Sequence, residues 1–346
     1  MTSPSAPESL TPRESILWQT CTSSLKRFYL PDAGILARRL IWEGQGLRPT
    51  SEPSPRNTVE VAKALYLLRA GGFPCPLDPD ALMERVVGQY LPGLEYPDVA
   101  LALWADALGD GRHLPALWQA LRQRFSPRAS ETMELAWTLS ALCHYFPVAK
   151  TPNEVAALAH TIWKEIARNQ ARATHLFHAS NSREGWLRRR SPIANLSSQT
   201  YTVQALALYS RTFDVPDALR QAQRCADAFC AHQGPLGQWW WIYNVRNGEV
   251  HEPYPVYSVN QDSAIPMALG ELERATGDAR YRVRVALGLS WLFGENELRT
   301  SLVDENNGVI WRAIQRENGQ FTILREMFSY HPGRCLYALT SKALGT

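Results

Sequence analysis

The chain has 346 residues, 45% of them hydrophobic and 20% charged, an ordinary globular composition that excludes a disordered or fibrous protein. Its formal net charge is only +3, which argues against a dedicated DNA- or RNA-binding surface, and no apolar run approaches the ~18–20 residues of a membrane-spanning helix. The opening MTSPSAPESLTPRES is polar and proline-rich, with no basic stretch leading into an apolar one. It does not read as a secretory signal, so the expectation is a cytoplasmic protein with a disordered tail over 1–13 and one domain over 14–346.

Helical periodicity dominates from residue 14 onward. The pattern predicts helices at 14–27, 58–71, 79–90, 97–109, 113–125, 129–146, 152–169, 197–213, 215–232, 261–276, 278–293 and 328–343. In 58–71, Val61, Ala64, Leu65 and Leu68 share one face and Gly71 stops the helix. In 129–146 the same spacing falls on Met133, Ala136, Leu139 and Leu142. Pro97-Asp98, Pro152-Asn153 and Pro216-Asp217 supply the proline and acid of a first turn. Strand signals are confined to connectors, where Asn247-Gly248 and Asn318-Gly319 each predict a hairpin turn.

Short connectors alternate with long ones at about 28–57, 179–196, 233–260 and 294–327. Loops longer than ~12–15 residues in a compact protein are usually functional or disordered. These carry Trp, Tyr, Arg and Glu rather than Ser and Gly, so they read as ordered and functional. If the helices pair as consecutive hairpins, the long connectors fall on one end and that end carries the site.

Each long connector also holds a glycine followed by apolar or aromatic residues with arginines nearby, as in Gly34-Ile-Leu-Ala-Arg-Arg, Gly185-Trp-Leu-Arg-Arg-Arg and Gly308-Val-Ile-Trp-Arg. The sharpest copy is Gln233-Gly-Pro-Leu-Gly237-Gln-Trp239. This Q-x3-G-x-W stretch resembles the QW repeat of terpene cyclases and related α/α-toroid proteins. The resemblance implies that Gln233 caps neighbouring helix ends, Gly237 turns the chain and Trp239 packs in the wall. With twelve helices in hairpin-like spacing, the chain resembles an all-α (α/α)6 toroid of helical hairpins, with short β-hairpins in the long loops. Six-hairpin glycosidases, polysaccharide lyases, sugar epimerases and terpene cyclases share that architecture. The stretch from Tyr254 to Asp262, with Thr276-Gly-Asp278 and Tyr281, is similar to uncharacterised bacterial proteins of this fold. One fold hosts many chemistries, so the site must decide among them.

Three constellations are candidates. The first runs through 238–262 and combines Trp240, Tyr243, Tyr254 and Tyr257 with His251, Glu252 and Asp262. Flat aromatic rings stack on sugar C–H faces, and two carboxyls are what glycoside cleavage requires. Glu252 and Asp262 are therefore the candidate acid and base, with Trp240, Tyr243 and Tyr254 lining a sugar site. The plainer alternative makes Asp262 a first-turn residue near free N–H groups, Ser258 and Gln261 a capping box, and Glu252 a solvated hairpin residue. The second is Glu326, Tyr330, His331 and Arg334, where Tyr330 and Arg334 would bind an acid group and His331, Tyr330 or Tyr257 would carry a proton in a lyase or epimerase. Pro332 starting a helix is the structural reading of the same stretch. The third is basic: Arg183, Arg188, Arg189 and Arg190 read most simply as a solvated run, while Arg56 and Arg312 sit beside a helix start and Trp311 and are better placed to hold an anionic substrate. His178 is taken as structural.

The twelve tryptophans fit either large core plugs or aromatic walls for a ring-bearing ligand. Cys225, Cys230 and His232 have the spacing C-x4-C-x-H, which matches no common zinc site, and the six cysteines read as buried small hydrophobes, so no metal is expected. No P-loop, G-x-S-x-G elbow or G-x-G-x-x-G after a strand occurs, and no cofactor is expected. The D-x-D-D and D-D-x-x-D/E motifs of terpene cyclases and the zinc ligands of prenyltransferases and lanthionine cyclases are missing too. The leading expectation is an enzyme that hydrolyses a saccharide. A uronate lyase or epimerase, a cyclase with a tryptophan-lined apolar cavity, and a noncatalytic saccharide-binding protein remain alternatives.

Overall fold

The computed structural model describes residues 10–44, 46–127, 130–180, 192–317 and 320–323. The elements follow in chain order as α1 (Pro12–Phe28), β1 (Tyr29–Leu30), β2 (Ile35–Leu36), β3 (Leu40–Glu43), β4 (Gly46–Pro49), α2 (Pro55–Ala70), α3 (Pro79–Tyr90), α4 (Tyr96–Leu108), α5 (Leu114–Arg124), α6 (Thr132–Tyr145) and α7 (Pro152–Arg168). The second half continues with β5 (Ile193–Asn195), α8 (Leu196–Phe213), α9 (Pro216–Ala231), β6 (Ile242–Asn244), β7 (Val250–Glu252), β8 (Val256–Tyr257), α10 (Ile265–Thr276), α11 (Arg282–Leu292), β9 (Val303–Asp304), β10 (Val309–Ile310), β11 (Ala313–Glu317) and β12 (Gln320–Ile323). The expected helix at 328–343 lies outside the described residues.

Local chemistry sets the helix ends. Thr11 and Glu14 form a reciprocal capping box that starts α1 at Pro12, two residues before the helix start expected at 14. Ser54, Asp78 and Asn195 cap α2, α3 and α8 through their side-chain oxygens. Gly277, at φ +72°, closes α10 in the left-handed conformation glycine adopts freely.

The helices sort into two rings. α2, α4, α6, α8 and α10 pack in succession, each against the next, and α3, α5, α7 and α9 each pack beside the helix they follow. The outer helices bury one stripe. In α7 this is Val155, Ala159, Ile162 and Ile166; in α9 it is Ala218, Ala222, Cys225, Ala226, Phe229 and Cys230. The inner helices are enclosed all round, and every residue from Leu196 to Ala207 of α8 is buried. Each fully buried Leu, Ile or Phe contributes about 1.5–3 kcal/mol, so the wall between the rings is the main source of cohesion.

This alternation places the connectors. Those leading into inner helices (29–54, 91–95, 125–131, 169–195, 232–257) open on one end of the ring, the mouth, and those leading out (71–78, 109–113, 146–151, 214–215, 277–281) on the other. Every described strand lies in a connector that leads into an inner helix or in the final long one, 293–327. β3–β4 and β6–β7 are antiparallel hairpins, β5 adds to β6, and the sheet β12-β11-β8 joins two distant connectors through the pairs Ala313↔Tyr257 and Ile314↔Val256. The expected turns at Asn247-Gly248 and between β11 and β12 are flanked by paired strands, with Gly248 at φ +80°.

The corner 233–241 follows α9. The Gln233 amide donates to the carbonyls of Arg284 (2.9 Å), in the first turn of α11, and Gly237 (3.2 Å). Gly237 has φ +98°, and a Cβ there would lie 2.2 Å from the Leu287 carbonyl oxygen. Trp239 is wholly buried, edge to face with Phe229 at 6.0 Å.

Candidate functional site

Two groups of residues gather in the connectors on the side of the mouth where the chain enters α10. The chain enters α10 through Ser258 and a π-helical turn over Asn260–Ala264. Such turns insert an extra residue per hydrogen-bonded ring and are common at functional sites. The expected Ser258–Gln261 capping box does not form: the Ser258 hydroxyl donates to the Arg312 carbonyl (3.0 Å), as does its N–H (2.9 Å), and the helix is already under way at Gln261. That bond and the β8–β11 pairing hold Tyr257 and Arg312 side by side. The Arg312 guanidinium stands 5.3 Å over the Tyr257 ring, and the other side of this group is Trp241, edge to face with Tyr257 at 5.0 Å.

Asp262 lies in the π-helical turn that leads into α10 and is 5% exposed. It is an acidic residue of the first turn of this π-helical segment. Its Oδ1 accepts the Ser263 hydroxyl at 2.9 Å. Burial raises its pKa from 3.8 to about 7, with the Ser263 hydrogen bond pulling the other way. A carboxyl that keeps its proton near neutrality has the character of a general acid. Asn260, in the same turn, is fully buried, and neither its amide nitrogen nor its oxygen has a partner among the described residues.

The second group centres on Glu297, which the sequence did not single out. Its carboxylate accepts from the Tyr254 hydroxyl (2.6 Å), the Gln238 amide (2.8 Å) and the Trp291 indole N–H (2.7 Å). Trp240 lies edge to face on Tyr254 at 5.8 Å, and the Arg316 guanidinium stands 5.0 Å over the Tyr254 ring. Burial, with the bond to Glu297 second, pushes the Tyr254 hydroxyl pKa up. Trp240 and Tyr254 thus belong to one hydrogen-bonded and stacked unit.

The remaining candidates separate. Glu252 is exposed at the end of β7, opposite Ile242, and shares no hydrogen-bond partner with Asp262 among the described residues. Tyr243 was expected to line the sugar site, but the structure buries it completely on β6 behind the wall, against His232 at 6.3 Å. With no exposed surface it cannot touch a ligand at the mouth, and burial raises its hydroxyl pKa. Cys225 and Cys230 are buried in α9, and burial pushes both thiols up. His178 is buried, with its backbone bonded to Asn169 and Thr132. Tyr330, His331, Arg334 and Glu326, and the arginines at 183 and 188–190, lie outside the described residues.

Arg56 marks a further part of the site. It pairs with Asp98 of α4, and its guanidinium stands 5.8 Å over the ring of Trp137 on α6. α4 lies between α2 and α6 in the ring, so this contact crosses the interior. Trp137 in turn meets Tyr201 of α8 edge to face at 5.4 Å. Seven residues deeper along α2, about 10 Å at the helical rise, Lys63 and Glu60 form an ion pair of 3.0 Å that is almost fully buried. Lys63 stands 4.1 Å over the Trp104 ring, which stacks on His144 at 5.4 Å. Burial lowers the His144 pKa to about 4, and the charges of Glu271, Lys63, Arg211 and Arg274 also reach it from α10, α2 and α8. The interior of the ring is therefore lined by charged, hydroxyl and aromatic groups. Sequence patterning picked out Arg56 but missed Trp137, Glu60 and Lys63, because the inner helices are buried on all sides and show no polar face.

No family model matches this sequence, and no curated protein matches it. Solved structures do. An unsaturated glucuronyl hydrolase specific for heparin aligns with a TM-score of 0.66 and 13% identity, over 96% of this chain and 96% of that one. A sugar epimerase from a ruminal bacterium aligns at 0.64 and 10% identity, over 95% and 98%. A possible member of the GH105 family from Salmonella enterica aligns at 0.60 and 12% identity, over 98% and 96%. The chain shares the α/α-toroid fold of these structures.

Proposed function

We propose that this protein is an enzyme acting on a saccharide at the mouth of the toroid, and that it cleaves a glycosidic bond with Asp262 as the general acid. The observation that carries this reading is the lining of the ring. Arg56 reaches from α2 past α4 to Trp137 of α6, and Asp98, Glu60, Lys63, Tyr201 and His144 make further polar or aromatic contacts on or between the inner helices. A polyhydroxylated substrate can exchange hydrogen bonds with polar groups of this kind, whereas an isoprenoid offers them none. This disfavours the cyclase alternative. The toroid neighbours, named for glucuronyl hydrolysis and sugar epimerisation, support the same substrate class.

In the reaction, protonated Asp262 gives its proton to the leaving glycosidic oxygen as the bond from that oxygen to the sugar carbon breaks, and water adds to that carbon while giving a proton to the second carboxyl. Tyr257, Trp241 and Arg312 border its entrance; Trp240 and Tyr254 extend the aromatic surface. Glu252 is the second carboxyl of this reading. The proximity of Arg312 to Tyr257 supports a second version, in which Arg312 holds an acid group and Tyr257 moves a proton beside it, as in a lyase or epimerase.

The test is mass spectrometry of neutral and uronate oligosaccharides incubated with the protein in D2O. Shortened products carrying added water establish hydrolysis, shortened products without it establish a lyase, and deuterium in an uncut chain establishes an epimerase. Asp262→Asn is expected to lower turnover by about 100-fold or more. Full turnover in Glu252→Gln would end the paired-carboxylate version, and unchanged sugars throughout would overturn the enzymatic reading.

A further inference from the structure

The end of the ring opposite the mouth carries a groove of about 520 Å³ between the α4–α5 and α6–α7 hairpins. That volume lies within the ~300–1,000 Å³ of small-molecule sites. Its floor is Trp118 and Tyr145, buried rings 5.5 Å apart. Its rim carries Arg112, Arg122 and Lys150 against one carboxylate, Asp110.

The hydrogen-bonding inventory of the groove is one-sided. The Trp118 indole N–H and the Tyr145 hydroxyl have no protein partner among the described residues, although neither is sealed off from solvent. Lys150 is exposed and pairs with no carboxylate among the described residues. Arg122 is held by Glu154 at 2.8 Å and Arg112 by Asp110, both at exposed positions. Exposed pairs contribute little, about 0–1 kcal/mol, so either arginine can exchange its partner for an acid on a ligand at small cost. An indole N–H, a phenol and three cations around aromatic rings form a donor-rich pocket with a surface for a sugar ring.

We propose that this groove is a second ligand site, separate from the mouth, that binds a sugar carrying a phosphate or carboxylate. Arg112, Arg122 and Lys150 hold the acid group. The Trp118 N–H and the Tyr145 hydroxyl bind sugar oxygens. The site stands on the far end of the ring from Asp262 and does not depend on the activity proposed there.

The experiment is isothermal titration of the full chain with glucose 6-phosphate, glucuronate, glucose and inorganic phosphate, paired with hydrogen–deuterium exchange. Glucose 6-phosphate or glucuronate is expected to bind and to protect residues 107–122 and 145–151, with glucose much weaker. The stronger of the two acids identifies the acid group. Phosphate binding as tightly as glucose 6-phosphate would overturn the sugar-ring part of the proposal. Lys150→Glu and Arg112→Glu, both at exposed positions, should each weaken binding about tenfold, a loss of ~1.4 kcal/mol, while leaving thermal stability and binding at the mouth unchanged. No binding of either acid at millimolar concentration, or protection confined to the mouth segments, would overturn it.

Discussion

Helices α8 and α9 pack against each other but distribute polar residues in opposite ways. In α9 the buried positions are Ala218, Ala222, Cys225, Ala226, Phe229 and Cys230, and its polar residues face outward. In α8 burial and polarity coincide, with Ser197, Ser198, Gln199, Thr200, Tyr201, Thr202 and Gln204 all enclosed. Part of that polarity is structural: Gln199 bonds the backbone N–H and carbonyl of Phe177 at 2.7 and 2.9 Å. The same contrast separates α2, with its enclosed Glu60 and Lys63, from α7. Enclosed charges cost several kcal/mol each to desolvate, so a wall built only for stability would be apolar on both sides. The outer ring supplies cohesion, and the inner ring gives some of it up to enclosed polar and charged groups.

The largest effect that would test this division is on the outer wall. Phe229→Ala removes the ring that packs on Trp239 and should destabilise the protein by about 3–5 kcal/mol, read from urea midpoints. Turnover per folded molecule should not change; a matching loss of turnover would break the comparison. Next is Lys63→Met, which takes the ammonium away from the buried Glu60 carboxylate and should cost about 3 kcal/mol. Adding Glu60→Gln should recover most of that stability, and a double variant no more stable than the single one would show that the pair is not an independent unit.

A pH series sharpens the comparison at Asp262. Its folded pKa, raised from 3.8 to about 7, means the native state holds a proton that the unfolded chain releases between those values. Stability contributed at this position is present at and below pH 4 and falls as the pH rises toward 7, then levels off. Asp262→Asn should abolish that decline, so its advantage over the natural protein should grow from nothing near pH 4 to a few kcal/mol at most near pH 7. A constant difference across the range would place the carboxyl in a more solvated setting. The smallest effect belongs to exposed pairs on outer helices: Arg220→Ala breaks an ion pair with Asp217 and should change stability by less than about 0.5 kcal/mol.

Periodicity read the outer helices well. The expected 152–169 and 215–232 differ from Pro152–Arg168 and Pro216–Ala231 by a residue at the ends, because a one-sided helix writes its burial into its sequence. The long connectors at one end were legible for a similar reason, since helix hairpins fix where links emerge. The start of α10 was misread because Ser258 and Gln261 have capping-box spacing while the chain takes a π turn. Tyr257 and Arg312 were each noticed, but their meeting depends on β8–β11 pairing across 55 residues, which no local pattern encodes. Trp137, Glu60 and Lys63 escaped notice because a helix enclosed on every side has no polar face to detect. Tyr243 was misplaced because alternation along a short strand does not say which side is the wall.

The closing seam of the ring has a consequence for how the protein is made. α1 packs against β9 and β10, and the Arg27 guanidinium bonds the Asn307 carbonyl, 280 residues later in the chain. At translation rates of about 5–20 residues per second, roughly 15–55 s separate the two ends of that contact on the ribosome. Leu17, Trp18, Cys21, Leu25 and Phe28, all buried in the finished molecule, emerge early and wait through that interval for part of their cover. The first helix is therefore where a nascent chain is most in need of a chaperone, and slowing synthesis late in the message should lengthen its exposure.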